Sequence, residues 1–380
     1  MEFAVAADHV FDGTMLRHDC AVVIEDRRIR AVMRRNDVPK SIRCHTLPRE
    51  AWLAPGFIDT QVNGGGDVLF NDDPTPHGIA AIAAAHRRFG TTALLPTLLS
   101  DTPAKMRISR HAVETVAGID PSVIGLHYEG PFLSPDKAGV HDQGMLRHPG
   151  PGDAELLAPL RNGVTLVTLA PEQVPEGFIA QLAGAAVRVS LGHSMATYAQ
   201  TRAALSEGLT GFTHLFNAMR PLASREPGPI AAALEAPGAS FGMIVDGEHV
   251  APAMLRLALR GSGHPMLVTD AMPPVGGSCT SFRLCGQDVI VHDGRCATAD
   301  GTLAGSVLDM ASAVRNCVQL LDLPLADALR LASASPAAFL GVDDWLGQLA
   351  PGYRADMVAL DPERVEVLAT WVAGTPSVTA

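Results

Sequence analysis

The residues best suited to chemistry in this chain lie where short apolar runs stop. In VIGLHYEGPF (123–132) the run ends at His127, Tyr128 and Glu129, a Gly-Pro break follows, and His141 returns after a loop. The pattern recurs in VRVSLGHS (187–194), which delivers His193, and in GFTHLFNAM (211–219), which delivers His214. It recurs again in SFGMIVDGEHV (240–250) and in PMLVTDAM (265–272), which carries Asp270. One such run is an ordinary capped strand. Carboxylates and imidazoles at the ends of successive strands are what a barrel active site is assembled from. Two imidazoles and one carboxylate, here Glu129, His193 and His214, form the ligand set of catalytic zinc sites that keep a position open for water. Asp270 beside such a centre is placed to act as general base toward water, then as proton donor to a leaving amine.

The elements that must position these groups alternate along the middle of the chain. Strands are expected over 53–64, 91–100, 123–129, 164–170, 187–192, 211–214, 240–245 and 265–269. Helices are expected over 78–90, 103–117, 154–160, 197–207 and 306–321. Eight strands alternating with helices fit an α/β fold of the (β/α)8 TIM-barrel type. No GxGxxG opens a helix after the first strand, which argues against a dinucleotide-binding sheet. The Gly64-Gly65-Gly66 run reads as a flexible loop. Residues 278–304 break the alternation with short strand-like stretches, a β-hairpin insert able to act as a lid or wall.

Both chain ends read as β. FAVAADHVFDG, CAVVIEDRRIRAVM and IRCHTLP at the start are too few strands to bury a core alone, whereas ADMVALD and VEVLATWVAG near the end supply the remainder. A small β-sandwich domain built from 1–52 and 345–380 is therefore expected, with the barrel over 53–344.

The totals narrow the field. Hydrophobic residues make up 47% and charged residues 18%, a globular composition. A net charge of −11 argues against nucleic acid as a partner. The 6 cysteines include no CxxC pair, so neither a disulfide framework nor a zinc ribbon is indicated. The start, MEFAVAADHV, lacks the pattern of a secretory leader, and no apolar segment is long enough to span a membrane, so a cytoplasmic location is expected.

Taken together, HYEGPF with GVH downstream, LGHSMAT, THLFNAM, SREPG, DGEHV and LVTDAM resemble the N-acetylglucosamine-6-phosphate deacetylases of the amidohydrolase superfamily. PGFIDTQVNG, GTLAGS and LGQLAPGYRADMVALD extend the resemblance over about residues 10 to 370. It implies a metal-dependent barrel with a β-sandwich of both termini, usually dimeric. Carried over by position, it implies Glu129, His193 and His214 as metal ligands and Asp270 as catalytic acid/base. His141 takes the place of the group that polarises the substrate carbonyl. Asn217 and Ala218 match substrate-binding positions. Arg225 and His249 match those that hold the 6-phosphate, reaching across from the neighbouring subunit of a homodimer. Leu303, Ala304 and Ser306 match the wall of the sugar pocket.

One departure from the wider superfamily matters. Most members open the barrel with His-x-His, which holds a second metal, whereas this chain has Gln61-Val62-Asn63. Neutral amides are poor ligands for zinc or ferrous iron. A subset of the deacetylases shares this variant and is associated with one metal. The expectation is therefore one divalent ion per subunit, zinc first and iron, manganese or cobalt as alternatives, with Gln61 and Asn63 counted among the substrate-binding positions. The rival activities are deacetylation of N-acetylgalactosamine 6-phosphate and hydrolysis of another N-acyl amide. A non-catalytic sugar-phosphate-binding barrel is the rival from a different class, and the presence of Asp270 argues against it.

Overall fold

The computed structural model describes residues 2–378 of the chain. Eight parallel strands form the central sheet: Phe57–Val62, Thr91–Leu99, Gly125–Glu129, Val164–Leu169, Arg188–Leu191, Gly211–Phe212, Ser240–Met243 and His264–Leu267. They are hydrogen-bonded in chain order, so each strand lies beside its sequence neighbours. Beyond the eighth strand, a Val62–Ala271 bridge and the bond from Asp270 N–H to the Gln61 carbonyl (3.0 Å) bring the last strand back to the first. This is the (β/α)8 barrel expected from the alternation.

Helix starts follow local chemistry. Thr75 and Thr102 cap two helices, Pro76–Arg87 and Pro103–Ala117, through side-chain oxygens, with proline in each first turn. Thr197 closes a reciprocal capping box with Gln200 at the start of Tyr198–Ser206. The helices present apolar faces to the outside of the barrel, so the largest core cluster lies between the two layers, around Phe57, Leu126, Tyr128, Phe212 and Phe241.

The terminal segments meet in a second sheet. Strands Glu2–Phe11, Leu16–Glu25, Arg28–Arg34 and Arg43–Thr46 join Met357–Asp361, Glu366–Val372 and Thr375–Val378. Asp26 and Arg27 both take positive φ (47° and 70°), the two-residue turn that matches the twist of a hairpin. One apolar core including Val5, Val22, Leu53, Met357 and Trp371 holds the sheet together.

Four expectations need correction. The stretch 53–64 is two strands: Trp52–Pro55 pairs with both terminal segments, and Phe57–Val62 opens the barrel. The switch falls at Gly56, whose N–H bonds to Asp356 while that of Phe57 bonds to Gly90. The insert is a four-stranded antiparallel sheet rather than a hairpin, with strands Ser281–Leu284, Gln287–His292, Arg295–Thr298 and Leu303–Ser306. Ser306 thus ends a strand, and the helix expected from it runs over Met310–Leu321, capped by Asp309. The glycine run is not a loose loop. Gly64–Gly65 pairs with Val68–Leu69, His86 donates from Nε2 to the Gly64 carbonyl at 2.9 Å, and a Cβ on Gly65 would lie 2.9 Å from that ring. No helix among the described residues is long and apolar enough to cross a membrane.

Candidate active site

The third barrel strand shows how the site is aimed. Alternation along a strand sends His127 and Glu129 into the barrel and Leu126 and Tyr128 toward the helices. Tyr128 is fully buried, its hydroxyl donating to the Met106 carbonyl at 3.3 Å. His127 lies below the rim, 2.7 Å from the Thr168 hydroxyl and 3.1 Å from the Thr60 carbonyl, and burial pushes its imidazole down to about 4. It is a neutral, satisfied core histidine. Glu129 is the last residue of the strand and reaches the rim.

His193, His214 and Asp270 follow their strands by two or three residues, and each has positive φ (49°, 33° and 53°). A left-handed residue ends the ladder and turns its side chain away from the strand direction. It costs a non-glycine residue about 1 kcal/mol or more. Such strain persists where surrounding contacts over-determine it, as at functional sites. It also explains why the sixth strand is only Gly211–Phe212.

The ligand atoms of Glu129, His193 and His214 all lie within 4.8 Å of one another and are buried. Glu129 Oε1 is 3.3 Å from His193 Nε2 and 3.1 Å from His214 Nε2, and the two Nε2 atoms are 3.1 Å apart. His193 Nδ1 donates to the Lys137 carbonyl at 2.8 Å, so in the neutral ring Nε2 carries a lone pair. A lone pair facing a carboxylate oxygen and a second imidazole calls for a cation. This donor set fits a divalent metal. Burial would raise the Glu129 carboxyl, but the two imidazoles hold it well below the usual range. Burial likewise opposes charge on His214, yet Glu129 raises it above the ordinary imidazole value.

Asp270 faces this triad from the end of the eighth strand. Asn63 donates to its Oδ1 at 2.6 Å, and Gln61 Nε2 lies 3.1 Å from both that oxygen and Glu129 Oε1. Burial first, and then the charge of Glu129, push Asp270 up to about 6. His141 stands with its ring centroid 4.6 Å from that of His193. Its Nδ1 accepts from the Ser100 N–H at 3.3 Å and lies 2.9 Å from the Ser100 hydroxyl, which leaves the ring proton on Nε2. Burial and the His193 charge hold it down to about 3, so it is a neutral donor.

A cavity of about 360 Å³ opens over these groups, within the range of small-molecule sites. Its lining includes Glu129, His141, His193, His214, Asn217, Ala218, His249, Asp270 and Leu303. The remaining expected site residues lie elsewhere. Gln61 and Asn63 are buried at the base and reach the carboxylates rather than the cavity wall. In the strand Leu303–Ser306, Leu303 and Gly305 line the cavity. Ala304 and Ser306 fall on the opposite face, as a period of two requires. His249 lines the cavity of its own chain, its Nδ1 2.6 Å from Asp246 Oδ2. Arg225 is exposed and outside that cavity.

Four contributors escaped the sequence reading. Ser100 ends the second strand region in the same apolar-then-polar pattern and could have been found by it. The Lys137 carbonyl is a backbone group and leaves no trace in residue type. Thr302 and Gly305 belong to the insert, whose register was not legible.

The fold and the site together define a barrel of the hydrolase kind, with a two-histidine, one-carboxylate centre at the C-terminal ends of its strands. The chain belongs to the amidohydrolase family, which it matches over residues 52–379. It is 44% identical over 327 residues to an N-acetylgalactosamine-6-phosphate deacetylase of Shewanella sp. (strain ANA-3), covering 85% of this chain and 82% of that protein. It is 31% identical to the N-acetylglucosamine-6-phosphate deacetylase of Haemophilus influenzae, covering 98% and 99%. Its structure is similar to that of N-acetylglucosamine-6-phosphate deacetylase from Pasteurella multocida, with a TM-score of 0.96, 33% identity and 100% of both chains covered.

Proposed function

We propose that this protein hydrolyses the acetamide of N-acetyl-D-glucosamine 6-phosphate to D-glucosamine 6-phosphate and acetate. The observation that carries the reading is the convergence of Glu129, His193 and His214 beside Asp270 and His141 under one cavity, in a chain of this family. One divalent cation, zinc first and iron, manganese or cobalt as alternatives, would be held by those three ligands, where it supplies Lewis-acid charge that acidifies water and polarises a carbonyl.

The chain's own groups account for the proton movements. Asp270, ionised and steadied by Asn63 and Gln61, takes the proton from the attacking water. His141 donates from Nε2 to the carbonyl oxygen as negative charge grows there, its ring fixed by Ser100. Asp270 then returns the proton to the departing amine, so water and amide become acetate and free amine. Losing Asp270 removes both transfers. Asp270→Asn is expected to lower kcat by about a hundredfold or more with bound metal unchanged, and a variant of wild-type rate would sink the assignment.

Asn217, Ala218 and Leu303 are proposed to seat the sugar, with Ala304 and Ser306 backing that wall, and His249 to meet the phosphate from within the same chain. Arg225, exposed and remote from its own cavity, is proposed to serve the site of a second subunit in a homodimer, where its planar fork suits a phosphate. Gln61 and Asn63 are proposed to keep the site mononuclear, because their N–H groups are committed to Glu129 and Asp270. A cytoplasmic location remains part of the reading.

A second reading is favoured by the 44% identical Shewanella relative: the galactosamine epimer as substrate. The deciding experiment measures acetate release from both epimers on chelator-stripped protein reloaded with counted zinc. Faster turnover of the glucosamine ester, saturating at one ion per subunit, is the expected result. Preference for the other epimer would favour the second reading, a need for two ions would overturn the mononuclear centre, and no acetate at any loading would overturn both substrates.

A further inference from the structure

The barrel is closed between its first and last strands by unusual means, and a residue with no role in the chemistry above is central to it. Asp59, Gln61 and Asn63 occupy alternate, inward-facing positions at the end of the first strand, and all three are buried. Gln61 and Asn63 hold the Asp270 carboxylate. Asp59 holds the residue before it: its Oδ2 accepts from the Thr269 hydroxyl at 2.5 Å, and its Oδ1 accepts from the N–H groups of Gln61 (3.1 Å) and Thr269 (3.4 Å). The Thr269 oxygen accepts in turn from the Ala271 N–H at 3.2 Å. The backbone of Asp270 therefore sits between Thr269, which Asp59 holds, and Ala271, which the Thr269 hydroxyl holds. It is fixed further by its own N–H on the Gln61 carbonyl (3.0 Å) and by the Ser306 N–H on its carbonyl (2.9 Å).

We infer that Asp59 and Thr269 are positioning residues, a clamp across the barrel seam that holds Asp270 in its left-handed conformation and aims its carboxylate at the metal ligands. The inference rests on the reading of Asp270 as the acid and base of an amide hydrolysis. Asp59 does not line the active-site cavity, and its hydrogen bonds go to Thr269 and Gln61 rather than to the three ligands. A fully buried carboxylate is a costly way to close a sheet, since an apolar pair would close it without desolvating a charge. What the carboxylate adds is a set of short, directional bonds that one residue in a strained conformation requires.

The test compares Thr269→Val, which removes the hydroxyl at constant shape, with Thr269→Ser, which keeps it. Thr269→Val is expected to lower kcat by about tenfold or more, because small displacements of a reacting group are costly, while KM and bound zinc change little. Thr269→Ser should stay within about threefold of the parent. In an Asp270→Asn background, Thr269→Val should change the residual rate by less than about twofold, since residues acting through one group are non-additive. Equal rates for the valine and serine variants, or an undiminished effect of valine on the Asp270→Asn enzyme, would overturn the clamp. Asp59→Asn keeps the shape with fewer acceptors and carries the same comparison if the valine chain does not fold. A parent enzyme that releases no acetate would refute the assigned reaction, whereas failure of these comparisons on an active parent falls on the clamp alone.

Discussion

Asp270 is a carboxyl whose surroundings pull in opposite directions. Burial and the Glu129 charge raise it to about 6, while the Asn63 amide at 2.6 Å favours the ionised form. A base accepts a proton only when ionised, so turnover should fall as pH drops through the Asp270 pKa. A cation bound by Glu129, His193 and His214 offsets the Glu129 charge and draws that pKa down. Carbon NMR of the Asp270 carboxyl should therefore show titration near 6 in stripped protein and at lower pH once zinc is added. Titration near the ordinary aspartate value in the stripped protein would contradict this. At the same scale, the sequence was legible where a polar residue ends an apolar run, which located Glu129, His193, His214 and Asp270. It was silent on Asp59, because a buried carboxylate declares its partners only once strands are adjacent.

Strands and turns decide whether these groups meet. Gly130 follows Glu129 with φ 92°, and a Cβ there would fall 2.2 Å from the Ser100 hydroxyl that braces His141. Gly130→Ala is expected to lower stability by about 1–3 kcal/mol through overpacking and strain. It should lower kcat as well, through displacement of Ser100. Gly152 has a similar φ of 86° with open space around it, so Gly152→Ala should cost only about 1 kcal/mol of backbone strain and spare the rate. Thermal unfolding and acetate release on both variants separate the two effects. The alternation of strands and helices was readable because each barrel strand is a near-continuous apolar run. The insert was not, because its short half-exposed strands carry little pattern, and the stretch 53–64 hid a change of sheet inside one apolar run.

For the molecule as a whole, the two chain ends are bound into one sheet. Met357–Asp361 lies between Trp52–Pro55 and Glu366–Val372, and Val358 and Leu360 from that strand belong to the barrel's own core cluster. Ending the chain at Asp356 would leave Trp52–Pro55 as a bare edge and open a gap beside the barrel. Such a chain is expected to be insoluble, and the complete one to melt in a single transition. A truncated protein that stays soluble and hydrolyses amide would show that the barrel stands alone.

The bond between His193 and the Lys137 carbonyl has a practical consequence. Trypsin cuts after lysine by attacking that lysine's carbonyl, and at this half-buried lysine the carbonyl is held by the imidazole of His193, a proposed metal ligand. The peptide link 137–138 is thus a built-in gauge of occupancy. With zinc holding the imidazole in place, limited digestion should spare the link. With zinc removed, the ring is free to turn away, and two fragments of about 137 and 243 residues should accumulate from the 380-residue chain. Equal cutting in both states would mean that the ring keeps its hold on the loop whether or not the ion is there.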